Sequence, residues 1–168
     1  PEPLAPFVDA VVMGDGEQVT LEIDDVVRRF KLDVAAGRRD ADRHALLRVL
    51  ADITGVYVPA FYEARYHDDG RLKQTVAVEA GVPARVPKRT VQDLEEFPYP
   101  QKQIVPLTET VHERFSVDIF RGCTRGCRFC QAGMITRPVR ERKPETIQKM
   151  VTEGVKDTGF EEVGLLSL

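Results

Sequence analysis

The sequence predicts an α/β fold, because strand and helix patterns alternate along the 168-residue chain and are separated by turn residues. The Val-rich stretch Phe7 to Met13 is typical of a buried strand. The glycine-bearing turn of Gly14, Asp15, Gly16 and Glu17 follows it directly. A helix comes next, with apolar residues at helical spacing: Val19, Ile23, Val26, Val27 and Phe30.

The middle of the chain predicts a second helix and a hairpin. After a Gly- and Arg-bearing loop from Val34 to Arg39, a helix is expected from near Asp42 to Ile53, ended by Gly55. The stretch Val56 to Tyr66 is rich in β-branched and aromatic residues, and Leu72 to Val78 has the pattern of a return strand. Asp-Gly between the two stretches is a strong hairpin signal.

Residues 81–107 carry five prolines and little helical periodicity. Since proline removes a backbone donor and favours extended chain, this stretch is predicted to be a linker or an extended strap. A domain boundary is expected within it.

Residues 115–168 predict one β-α-β unit. Phe115 to Phe120 alternates as a strand does, and a long loop follows it. A helix is expected to start at Lys143-Pro144-Glu145 and to end at Thr158-Gly159. The last stretch, Glu162 to Leu168, is largely apolar, as buried parallel strands are.

Composition narrows the class of protein. The chain is 42% hydrophobic and 30% charged with a net charge of −3, so its bulk charge predicts neither a nucleic-acid nor a membrane partner. No apolar run reaches the roughly 20 residues that span a bilayer, and no secretory signal peptide is recognisable. The chain lacks an initiator Met, and we expect it to be a fragment of a longer cytoplasmic protein.

All three cysteines lie in the loop after the strand Phe115 to Phe120, as Cys123, Cys127 and Cys130. A structural zinc site needs four ligands, and His112, the nearest histidine, is expected at the opposite end of that strand. An odd thiol count argues against a closed disulfide set, and ferredoxin-type clusters use four cysteines at other spacings. Three thiolates can instead hold three irons of a four-iron four-sulfur cluster and leave the fourth iron open to a ligand.

At these residues the chain resembles the radical SAM (S-adenosylmethionine) enzymes. Cys123-x3-Cys127-x-Phe129-Cys130 matches the C-x3-C-x-aromatic-C signature of that superfamily. The longer run from Arg121 to Ile147 is similar to a subgroup of cobalamin-binding-domain radical SAM proteins. FVDAVVMGDGE, residues 7–17, resembles the last strand and turn of the Rossmann-like cobalamin domain.

The resemblance implies a three-part organisation. Residues 1–33 would be the end of a cobalamin-binding-like Rossmann domain. Residues 34–107 would be a connector with a helix, a β-hairpin and the Pro-rich strap. Residues 108–168 would start a partial TIM-like radical SAM barrel.

The resemblance also implies roles for individual residues. Cys123, Cys127 and Cys130 would ligate the cluster, and its open iron would bind S-adenosylmethionine for reductive cleavage to a 5′-deoxyadenosyl radical. Phe129 would pack beside the adenine, or serve in the core. Gly14, Asp15, Gly16 and Glu17 would border a cobalamin in the complete protein. An electron donor such as flavodoxin or ferredoxin is the expected partner, and the substrate is unknown.

The cysteine loop is strongly basic. Between Arg121 and Lys143 there are seven basic residues and one acid, a local charge of about +6. Arg121, Arg125 and Arg128 are predicted to support the cluster, whereas Arg140 and Arg142 can also be read as surface charge. An RNA substrate would also suit these charges. A non-catalytic iron–sulfur or zinc module, structural or electron-transferring, is the alternative function.

Overall fold

The computed structural model describes residues 2–167, which form a mixed α/β structure with three small sheets. The chain divides into two compact units between Thr90 and Val91, inside the stretch predicted to hold a boundary. The division into three segments stays a prediction. No helix within residues 2–167 is both long enough and apolar enough to cross a membrane.

The first unit is built on two helices, α1 (Glu17–Ala35) and α2 (Arg43–Ala51). The side chain of Asp42 caps α2 by accepting a hydrogen bond from the backbone N–H of His44 at 2.9 Å. Helix α1 continues to Ala35, so the loop predicted from Val34 starts later. The buried core of this unit comes from both helices and the segment after them: Val19, Leu47, Leu50, Ala51, Val56, Val58 and Phe61.

The N-terminal strand is shorter than predicted. Strand β1 is only Val11–Val12, and it pairs antiparallel with β2 (Val56–Tyr57). Phe7, the first residue of the expected strand, is the last residue of a 3-10 helix, Glu2–Phe7. The Rossmann-like assignment stays a prediction.

The predicted hairpin is observed. Strands β3 (Tyr62–Tyr66) and β4 (Leu72–Ala77) are antiparallel, and Gly70 adopts a φ of 82° in the turn between them. The β-rich stretch that starts at Val56 is interrupted by a short 3-10 helix, Pro59–Phe61. The interruption separates the core strand β2 from the hairpin.

Arg89, in the Pro-rich stretch, forms hydrogen bonds to three segments of the first unit. Its backbone N–H donates to the Met13 carbonyl at 2.7 Å, and its carbonyl accepts from the Asp15 N–H at 3.1 Å. Its guanidinium donates to Glu22 on α1 at 2.5 Å and to the Thr54 carbonyl at 3.2 Å. One residue therefore joins the end of β1, helix α1 and the turn before β2.

Gly14 is required by this backbone contact. It has a φ of 109°, and a Cβ atom at this position would overlap the Arg89 carbonyl oxygen. A side chain would therefore meet both backbone strain and a steric clash. The close contact with Arg89 is therefore a structural reason for glycine at position 14 of the predicted cofactor turn.

The second unit contains a three-stranded sheet in the order β6 (Arg140–Glu141), β5 (Phe115–Arg121) and β7 (Val163–Ser167). Strands β5 and β7 are parallel, and helix α4 (Pro144–Thr158) lies between them in the sequence. The predicted order of strand, helix and parallel strand is observed. The short antiparallel strand β6 was not predicted, and Leu168 lies outside the described residues.

Helix α4 packs directly on β5. Phe115, Val117 and Met150 are buried between them, and Gly154 leaves the space that the Phe115 ring occupies. Strand β7 differs from its prediction as a buried strand, since Leu165 is 59% exposed and Leu166 is 53% exposed. It lies at one edge of the described sheet, beside β5.

We expect Gly14→Ala to destabilise the first unit by about 2–4 kcal/mol, because backbone strain and overpacking act together. Gly70→Ala is the matched control, since Gly70 also has a positive φ but has nothing within 4 Å of its Cβ position. Its cost should be about 1–2 kcal/mol from the strain alone. Urea denaturation followed by circular dichroism compares them, and equal costs would contradict the close contact with Arg89.

Glu95 joins the Pro-rich stretch to helix α4, and this contact depends on pH. Its carboxylate accepts hydrogen bonds from the Thr146 hydroxyl and, at 3.0 Å, from the Lys143 backbone N–H. The Thr146 hydrogen bond is the main reason why the pKa of Glu95 is lowered. Because the folded state prefers the ionised carboxylate, its contribution is complete above the unfolded pKa and is lost as the pH falls through the lower folded value.

Glu95→Gln should therefore lower the free energy of unfolding at pH 7 by about 1 kcal/mol, as loss of a helix cap does. The difference in unfolding free energy between this variant and wild type should shrink as the pH falls below the pKa of an ordinary glutamate. Urea titrations at several pH values measure it, with the exposed neighbour in Glu96→Gln as control. A difference that does not change with pH would show that the ionised carboxylate of Glu95 is unimportant.

Candidate functional site

The three cysteines follow strand β5 directly, as predicted, in the segment that leads to β6. All three are free thiols; Cys123 and Cys130 are half-buried, and Cys127 is exposed. The Cys130 N–H donates to the Cys127 carbonyl at 3.1 Å, which makes a tight turn between the second and third cysteines. The short helix α3 (Ala132–Ile135), which was not predicted, follows this turn.

The sulfur atoms of Cys123 and Cys130 converge on Gly133 in α3. A Cβ atom at Gly133 would lie 3.5 Å from Sγ of Cys130 and 3.9 Å from Sγ of Cys123. Each sulfur also accepts a backbone hydrogen bond, from Arg125 to Cys123 at 3.4 Å and from Gly133 to Cys130 at 3.3 Å. Both sulfurs therefore lie against backbone N–H groups of the loop itself.

The three cysteines have the right chemistry for an iron–sulfur cluster, but their side chains are not grouped as cluster ligands would be. Within residues 2–167, no three His, Cys, Asp or Glu side chains are grouped closely enough to hold a metal ion. The structure brings Cys123 and Cys130 together and leaves Cys127 exposed on the same loop. Soft thiolates are nevertheless the ligands that iron–sulfur clusters use, and metal binding commonly organises its own ligands. The donor set therefore fits a cluster bound by three cysteines.

Gly122 sets the start of the cysteine loop. It has a φ of 95°, and a Cβ atom there would overlap the Pro138 carbonyl oxygen. The chain that enters the loop at Gly122 and the chain that leaves it from Pro138 to Arg142, the returning arm, thus touch through their backbones directly before Cys123. This contact gives the glycine of the Arg-Gly-Cys sequence a physical reason.

Two buried arginines hold the returning arm in place. Arg140 is 7% exposed and donates to the carbonyls of Val91, Thr136 and Pro138 at 2.9–3.1 Å. The reading of Arg140 as ordinary surface charge is therefore wrong.

Arg142 is buried in the same way. It is 9% exposed and donates to the carbonyls of Leu94 at 2.6 Å and Asp118 at 2.9 Å. Its own backbone N–H donates to Ile119 on β5 at 2.9 Å. The surface reading of Arg142 is wrong for the same reason, since its guanidinium joins β5 to the Pro-rich stretch.

The arginines predicted to support the cluster have different surroundings. Arg121 donates to Asp118 at 2.9 Å, so a carboxylate balances part of its charge. Arg125 and Arg128 have exposed side chains. Arg137 donates through Nε to the Cys123 carbonyl at 3.0 Å, a contact that was not predicted.

The remaining predicted site residues belong to the first unit or lie at the surface of this loop. Phe129 is 92% exposed, so the alternative role in core packing is wrong. Gly14, Asp15, Gly16 and Glu17 belong to the first unit, whereas the cysteines belong to the second. Their predicted contact with cobalamin stays a prediction.

Sequence reasoning missed the residues that shape the loop, namely Gly122, Gly133, Arg137, Arg140 and Arg142. The density of arginine after Thr136 was visible, but nothing in the sequence distinguished buried from exposed members. A glycine on each side of the cysteine motif was the available signal for close backbone contacts.

Comparison with known proteins gives an independent view of the chain. Residues 1–59 match the family model described as radical SAM proteins, N-terminal. An uncharacterised protein from Methanocaldococcus jannaschii is 26% identical over 166 residues. The alignment covers 98% of this chain but spans only 28% of the length of that relative. No solved structure matches the chain.

The family match lies wholly in the first unit, and its description names neither cobalamin nor a cobalamin-binding subgroup. It ends long before Cys123, so it does not depend on the cysteine loop. The match of residues 1–59 therefore supports a place for this chain in the radical SAM superfamily.

Proposed function

We propose that this chain is part of a radical SAM enzyme in which Cys123, Cys127 and Cys130 ligate a four-iron four-sulfur cluster. Two separate regions support the proposal. The family match covers residues 1–59, and the C-x3-C-x-aromatic-C motif begins at Cys123. These regions share no residue, so they are independent indications of the same superfamily.

The observation that carries the proposal is the convergence of two cysteine sulfurs on Gly133. A glycine at this position keeps bulk away from the sulfur atoms of Cys123 and Cys130. Backbone donors from Arg125 and Gly133 point at the same atoms and balance negative charge on them. Hydrogen bonds to sulfur are among the features that adjust the potential of iron–sulfur clusters.

When bound, the cluster would supply one electron to the sulfonium of S-adenosylmethionine, which releases methionine and a 5′-deoxyadenosyl radical. The residues of this chain would bind the cluster and orient S-adenosylmethionine. Three thiolates leave one iron without a protein ligand, and that position would take the amino and carboxylate groups of S-adenosylmethionine. The exposed ring of Phe129, next to Cys130, would pack against the adenine.

The wider architecture follows as part of the same proposal. The parallel strands β5 and β7, with α4 between them, would be the first β-α-β unit of a partial TIM-like barrel. An acidic one-electron donor such as flavodoxin or ferredoxin would suit the exposed Arg125 and Arg128. Cobalamin binding and an RNA substrate would be properties of the whole protein, and both stay predictions.

Electron paramagnetic resonance on the anaerobically reconstituted, reduced protein tests the proposal. We expect a cluster signal that changes when S-adenosylmethionine is added, because only an iron open to ligands responds to it. A signal that ignores S-adenosylmethionine, or zinc bound in place of iron, would point to the structural or electron-transfer module instead.

We expect Cys127→Ala to lose most of the iron that the reconstituted wild-type protein binds, while the fold remains intact. Cys127 is exposed, so its sulfur contributes little to packing and its loss should not destabilise the loop. Iron analysis and circular dichroism provide the two readouts. Thr124→Ala, an exposed change within the same motif, is the control and should bind iron as wild type does. Full iron binding by Cys127→Ala would overturn the three-cysteine assignment.

A further inference from the structure

Arg137 reaches back across the cysteine loop to its first cysteine. Its Nε donates to the carbonyl of Cys123 at 3.0 Å, although 14 residues separate them in the chain. Its Nη2 lies 3.5 Å from the position that a Cβ atom of Gly126 would occupy. The guanidinium therefore covers the segment between the first and second cysteines.

Gly126 makes this approach feasible. It adopts a φ of 71°, in the left-handed region that glycine enters without strain. A larger side chain at this position would lie against the guanidinium of Arg137 and the Met134 methyl group. The absence of a side chain at Gly126 thus leaves room for the guanidinium of Arg137 to lie over the backbone there.

We propose that Arg137 is a positioning residue that orients Cys123 and also sets the reduction potential of the cluster, an inference that rests on the proposed function. The hydrogen bond fixes the carbonyl of the residue that supplies one thiolate. The same side chain places a full positive charge next to that residue. Both effects act through one guanidinium, and they can be separated by substitution.

The electrostatic effect has a definite sign. Three thiolates around a cluster core of charge +2 give a net charge of −1, which becomes −2 after one-electron reduction. A positive charge held nearby stabilises the more negative, reduced state and raises the reduction potential. The side chains of Arg137 and Arg128 are both exposed, and the difference between them is that the hydrogen bond to Cys123 holds the Arg137 charge at a fixed distance.

Other arginines of the loop are less suited to this role. Arg121 is balanced by Asp118, and Arg140 and Arg142 are held by backbone carbonyls away from the cysteine segment. Arg128 lies between Cys127 and Cys130, and its side chain forms no hydrogen bond or ion pair within residues 2–167. It therefore offers a matched control with the same charge but without the fixed contact.

The experiment compares wild type, Arg137→Gln, Arg137→Lys and Arg128→Gln in the full chain after anaerobic reconstitution. Iron content measures cluster binding, and a dithionite titration followed by electron paramagnetic resonance measures the midpoint potential. We expect Arg137→Gln to shift the reduction equilibrium about tenfold towards the oxidised cluster, which is 59 mV for one electron. Arg137→Lys, which keeps the charge, should recover most of the shift, and Arg128→Gln should match wild type.

Loss of iron from Arg137→Gln and its recovery in Arg137→Lys would support the orienting role, because a lysine ammonium can still donate to the Cys123 carbonyl. A lower potential in Arg137→Gln at unchanged iron content would support the electrostatic role. If Arg137→Gln and Arg128→Gln have the same potential and the same iron content as wild type, the inference is overturned while the proposed function stands. If wild type itself binds no cluster, both fail together.

Discussion

The buried guanidinium groups of Arg140 and Arg142 organise the second unit around the cysteine loop. They donate to carbonyl groups of Val91 and Leu94 in the Pro-rich stretch and of Asp118 on β5. These backbone carbonyls need donors when they are buried, and proline-rich chain has few N–H groups to offer. A planar guanidinium with five N–H groups can serve several carbonyls at once. The position of the returning arm, and with it the loop, depends on these contacts.

The candidate site is formed largely by the backbone. Gly122 lets the two arms of the loop touch, Gly133 leaves space beside two sulfur atoms, and backbone N–H groups point at those sulfurs. Side chains such as Phe129 and Cys127 remain exposed. The loop therefore leaves part of its surface open around the cysteines, as the proposed cluster site would require.

Elements with a long periodic pattern could be predicted from the sequence, and very short ones could not. Helices α1, α2 and α4 and strand β5 were expected close to their observed bounds, because apolar spacing and capping residues mark them. Strand β6 has two residues and helix α3 has four, too few to show a period. Both depend on contacts with β5 and the cysteine turn rather than on their own residues.

The sequence by itself determined the chemistry of the site: three thiols at C-x3-C-x2-C spacing after a strand, within a basic loop. Only the tertiary structure decided what each arginine does, because burial and partners depend on distant segments. Arg140 and Arg142 bind carbonyls about 50 residues away, and Arg137 binds the carbonyl of Cys123. A local pattern can show that a charge is present, but the partner that gives the charge its role comes from the fold.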